Sequence, residues 1–94
     1  MDTLVLDPVL DLKASAPLQA ALLERRGKPL SVDASGVQRL GGLCLQVLLS
    51  ADRTWASDAC AFAITPRSAA FDEALALFGA DGRFDDDRSE KGAR

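Results

Sequence analysis

The period of the apolar positions changes several times along this chain, and each change marks an element. Thr3-Leu4-Val5-Leu6 and, after Asp7-Pro8, Val9-Leu10-Asp11-Leu12 are short apolar runs. Proline gives no N–H to a ladder, so they predict two short strands with a bend at Pro8, forming a hairpin or a kinked edge strand. From Ser15 the spacing becomes three and four (Leu18, Ala21, Leu22), with Pro17 acceptable in a first turn. This predicts an amphipathic helix that Gly27 ends and Pro29 cannot continue. Leu30-Ser31-Val32-Asp33 then alternates as a strand, with Leu30 and Val32 on one face.

Ala34-Ser35-Gly36 reads as a turn, and Val37-Gln38-Arg39-Leu40 leads to the pair Gly41-Gly42. A long helix follows, from about Gly42 to Ala56. At 100° per residue, Cys44, Leu45, Val47, Leu48, Leu49, Ala51, Trp55 and Ala56 fall on a broad apolar arc. Leu43 is the exception, lying between Ser50 and Thr54 on the polar side, and is expected to be exposed. Ala59-Cys60-Ala61-Phe62-Ala63-Ile64 has the composition of a buried strand. Thr65-Pro66-Arg67-Ser68 caps a third helix with Phe71, Ala74, Leu75 and Phe78 as its core stripe, closing at Gly79. The predicted order is β-β-α-β-α-β-α, an α/β domain with a four-stranded mixed, mainly parallel sheet packed with helices. Residues 1–79 form the expected domain, and the polar segment 80–94 an expected mobile tail.

Composition narrows the function. A net charge of −3 without a Lys/Arg stripe argues against nucleic acid as a partner. No apolar run approaches the ~20 residues of a membrane span, so no membrane insertion and a cytoplasmic location are expected. The sequence has two cysteines and no histidine. Cys44 and Cys60 sit in apolar runs and read as buried free thiols rather than metal ligands, and Ser-His or Cys-His catalysis has no histidine to use. No metal, no cofactor and no enzymatic activity are expected. Asp85-Asp86-Asp87 reads as a solvated charge run, Trp55 as a packing residue, and Arg25 and Arg26 as complements to a helix C-terminus.

The stretch Val32-Asp33-Ala34-Ser35-Gly36-Val37, then Leu40-Gly41-Gly42-Leu43-Cys44-Leu45-Gln46-Val47-Leu48-Leu49, followed by a strand and a helix containing Phe71, resembles the STAS family, the sulfate-transporter and anti-sigma-factor-antagonist domain, in its single-domain bacterial form. The likeness covers about residues 4–79. In phosphorylatable members the loop before the long helix reads Asp-Ser-Ser-Gly-Leu or Asp-Thr-Ala-Gly-Leu. Matched position by position, the acid falls on Gly41, the hydroxyls on Gly42 and Leu43, the glycine on Cys44 and the leucine on Leu45. Only Leu45 agrees in type, so the resemblance implies a docking surface without its phosphorylation switch. Ser35, in a similar Asp-Ala-Ser-Gly string one turn earlier, is the fallback phosphosite and otherwise a turn residue.

By this resemblance the chain is a non-catalytic regulatory interaction module like an anti-sigma factor antagonist, or else the STAS subunit of a lipid-transport ABC complex or a chemotaxis-associated STAS protein. Its implied partner is a regulatory protein, either an anti-sigma factor with serine-kinase activity or an ABC ATPase. The expected partner-binding residues are Ser35, Gly36, Leu40, Gly41, Gly42, Leu43 and Val47. Two readings stand beside it. Gly41-Gly42 before a helix suits a small anion- or nucleotide-binding domain, although the lysine of phosphate loops is missing. Exposed apolar residues such as Leu43 would also suit a homodimer.

Overall fold

The computed structural model describes residues 2–84. Its elements are β1 (Asp2–Val5), β2 (Val9–Leu10), a 3-10 turn (Leu12–Ala14), α1 (Ser15–Leu23), β3 (Leu30–Ala34), β4 (Arg39–Leu40), α2 (Gly42–Ser57), β5 (Phe62–Arg67) and α3 (Ala69–Leu77). The expected alternation of strands and helices is present, with β4 as an added short strand.

Strand pairing departs from expectation. β1, β3 and β5 form one sheet in that order and β2 pairs with β4 in a second, and all of these pairings are parallel. The single four-stranded mixed sheet and its hairpin are thus corrected, since β1 and β2 do not pair with each other. The cause is local. Leu6 N–H continues the β1 ladder by donating to the Asp33 carbonyl at 3.0 Å, whereas the Pro8 carbonyl accepts from Gln38 and Arg39 N–H at 2.7 and 3.1 Å. Past Pro8 the chain changes sheets and pairs in parallel with β4, so no antiparallel return onto β1 is made.

One face of the larger sheet is buried. Leu30, Val32 and Ala34 of β3 and Phe62 and Ile64 of β5 point into a core completed by Leu18, Leu22, Leu48, Trp55, Phe71 and Leu75. Each large apolar side chain contributes about 1.5–3 kcal/mol by leaving water. Thr3, Val5, Ser31, Asp33, Ala63 and Thr65 alternate with them and are exposed or half-buried, as for a sheet covered on one side. Trp55 is a packing residue, with its indole N–H donating to the Lys28 carbonyl at 2.7 Å and its ring 5.4 Å from that of Phe62.

The helix ends follow from their sequences. Asp11 caps the 3-10 turn leading into α1 by accepting from Ala14 N–H, and Ser68 caps α3 by accepting from Phe71 N–H at 3.0 Å. Arg25 donates to the Ala21 carbonyl near the end of α1, whereas Arg26 bridges to Asp58 at 2.9 Å instead of serving its own helix end. Gly27 and Gly79 both adopt positive φ just past a helix.

The packed chain runs beyond Gly79. Ala80 N–H donates to the Leu75 carbonyl at 2.7 Å, and Ala80 and Phe84 are both buried in the core. The expected tail therefore loses its first five positions, 80–84, because this turn carries an aromatic that the core accepts. The Asp85-Asp86-Asp87 run lies outside the described residues.

Candidate docking surface

α2 begins at the segment that the sequence singled out. Gly41, its N-cap, is extended (φ −84°, ψ 162°) and supplies no side-chain cap. Its N–H donates to the Leu10 carbonyl at 2.9 Å, which seats the helix start against β2. A Cβ on Gly41 would lie 3.0 Å from that same carbonyl oxygen, so the close approach of two backbones leaves little room for a side chain here. Gly42 opens the first turn beneath a neighbour from the far end of the chain, since a Cβ there would be 3.5 Å from Cε1 of Phe78.

Leu43 is 48% exposed and Phe78 51% exposed. Together with Gly42, Gln46, Leu49 and Arg83 they line an open groove between α2 and the turn after α3. It offers an apolar contact with a glutamine and an arginine among its lining residues. The helix start carries no hydroxyl and no carboxylate at residues 41–43, so it presents bare N–H groups and partial positive charge.

The expected site residues separate into groups. Gly42 and Leu43 line this groove, with Gly41 beneath them. Leu40 is buried, so it supports the surface from within and offers nothing to a partner. Val47 is half-buried and lines a different groove, with Leu22, Leu23 and Trp55 between α1 and α2, and is not on the Leu43 face. Ser35 and Gly36 are exposed at the end of β3 but do not line the Leu43 groove. Ser35 is a turn residue, with its hydroxyl donating to Asp33 Oδ1 at 2.6 Å and its N–H to the same oxygen at 2.9 Å. These two bonds, the hydroxyl's foremost, hold the Asp33 carboxyl below its ordinary range.

Sequence reasoning missed Phe78. Spacing from Phe71 and Leu75 places it on the core stripe, but α3 ends at Leu77, and Phe78 occupies the C-cap position just beyond it. Its placement over Gly42 is a contact between the end of α3 and the start of α2, which periodicity within one helix does not register. Cys44, next to Leu43 in the first turn of α2, is buried, and its Sγ lies 3.3 Å from the Asp11 carbonyl oxygen. Burial, then the charge of Asp11, raises its pKa and keeps the thiol neutral. Among the described residues no group of three His, Cys, Asp or Glu side chains is placed to hold a metal ion, and no helix is long and apolar enough to cross a membrane.

The family model described as "Mlab, STAS domain" matches residues 1–85 of the 94. No curated protein and no solved structure gives a match. With the parallel α/β arrangement and the long helix opening at Gly41-Gly42, that match makes the chain a member of the STAS-domain family, a family of regulatory and interaction modules.

Proposed function

We propose that this chain is a non-catalytic module that docks constitutively on a regulatory protein through the start of α2, with Leu43 and Phe78 as its apolar contacts. The observation that carries the reading is the pair itself. Two large apolar side chains stand half-exposed over a helix N-terminus that lacks any hydroxyl to phosphorylate. In a phosphorylatable module a phosphate at such a position would repel or recruit the partner, and here the surface keeps one state. The absence of histidine in the sequence supports a binding role over a catalytic one.

The reading nearest to this is an anti-sigma-factor-antagonist-like module without its switch, with an anti-sigma factor or serine kinase as partner. The missing hydroxyl also favours a second reading, a permanent subunit of a larger assembly such as a lipid-transport ABC complex, where no phosphate-controlled release is needed. A photo-crosslinking residue at position 43 in cells tests both, with the same residue at the exposed position 28 as control. A single partner captured from position 43 and not from position 28 supports the docking surface, and its fold class selects the reading. Equal capture from both positions, or none, contradicts it.

A further inference from the structure

We propose that the outer edge of β1 pairs antiparallel with β1 of a second copy of this chain, centred on Leu4. This goes beyond the docking surface above and uses neither Leu43 nor Phe78. β1 has a strand neighbour on one side only among the described residues, namely β3. Leu6 N–H donates to Asp33 and Leu4 stands opposite Val32, so the backbone groups of Leu4 and Leu6 face β3. By alternation those of Thr3 and Val5 face outward. The Thr3 N–H turns back to its neighbour's carboxylate, Asp2 Oδ1, at 3.0 Å, and Val5 is 67% exposed. The other edge strand, β5, contains Pro66, which offers no N–H to a neighbour.

A second feature lies beside this edge. Leu4, Leu6, Leu10, Pro17, Leu18 and Ala21 line a groove of about 190 Å³ between β1 and α1. A strand added to β1 would present alternate side chains over this groove. The register Thr3 opposite Val5 joins both outward backbone pairs, the Thr3 N–H exchanging Asp2 Oδ1 for a carbonyl of the second copy, and sets Leu4 against Leu4 of that copy on the groove side. Each copy thereby supplies the apolar residue that the other's groove receives. In this pairing the two Asp2 carboxylates stand at opposite ends, about 13 Å apart. A parallel in-register pairing would set them face to face, which is unfavourable. One four-residue edge covers less than the ~1,200 Å² of a stable interface, so the dimer is transient and concentration-dependent.

The test measures amide hydrogen exchange by NMR and mass by sedimentation on the full chain, from micromolar to millimolar concentration. The proposal expects the Val5 amide to gain protection as concentration rises, in step with dimer formation. Val5→Pro removes the outward N–H without touching the β3 ladder, and Val5→Lys charges the edge while keeping that N–H. Each is expected to weaken self-association by about tenfold or more. Leu43→Asp is expected to leave self-association unchanged, so loss of the docking surface and loss of the edge pairing read out separately. Val5 exchange independent of concentration, a Val5→Lys variant that associates like the parent, or Val5 protection gained only with a different protein would each overturn the proposal.

Discussion

Phe78, one residue past α3, lies over Gly42 in the first turn of α2, at 3.5 Å from the position that a Gly42 Cβ would take. That is an ordinary contact distance, whereas the corresponding distance from Gly41 to the Leu10 carbonyl is 3.0 Å. The two adjacent glycines are thus held by different requirements. Gly42→Ala is expected to be neutral or to stabilise by up to about 1 kcal/mol, because alanine reduces the freedom of the unfolded chain. Gly41→Ala is expected to cost about 1–3 kcal/mol, because the carbonyl it meets is fixed by its own hydrogen bond to Gly41 N–H. Urea denaturation of both variants checks the contrast, and equal stabilities would contradict it.

Ser68 joins two loops through one oxygen. Its hydroxyl donates to the Val37 carbonyl at 2.6 Å and accepts from Phe71 N–H at 3.0 Å, while its own N–H donates to the Ala34 carbonyl. Ser68→Ala removes the cap and leaves the Val37 carbonyl short of a donor, with an expected loss of about 1–3 kcal/mol. Thermal unfolding measures it. A loss within experimental error of zero would show that water replaces both bonds.

The acid limb of stability should report on Arg26 and Asp58. The Asp58 carboxyl is held below the ordinary aspartate value of 3.8, chiefly by the side-chain hydrogen bond from Arg26. A carboxylate whose folded-state pKa is depressed contributes stability that is fully present above its unfolded-state pKa and is lost as pH falls through the folded-state pKa. Melting temperature is therefore expected to decline on acidification below about pH 4. Arg26→Gln should lower the melting temperature near neutrality and converge with the parent at the acid end. A gap that stays constant across the titration would contradict this origin.

Much of this fold was legible because most of its elements bury a periodic face. α1, α2 and α3 and the strand β3 lie close to where the apolar spacing puts them, β5 (Phe62–Arg67) runs three residues later than the apolar stretch 59–64, and the exposure of Leu43 follows from its angle on the α2 wheel. Pairing was less legible. Whether Val9-Leu10 meets β1 or β4 depends on where the Pro8 carbonyl finds donors thirty residues away, and no local pattern carries that information. The expected strand after Pro8 was also too long, since Asp11 turns to cap the 3-10 turn. The end of the domain is less legible, because polar composition surrounds the one buried aromatic there, Phe84. Phe78 is the converse case, since its spacing from Phe71 marks a core position only while the helix continues, and α3 ends at Leu77.

The docking surface rests on Leu43, and its most direct measurement is the affinity of the full chain for the protein captured at position 43, with and without Leu43→Asp. Leu43 is half-exposed, so the substitution should leave the melting temperature within a few degrees of the parent, a change of under about 1 kcal/mol. The predicted result is an affinity at least about tenfold weaker, as for the loss of a central apolar contact. Unchanged affinity in a variant with unchanged stability would contradict the account.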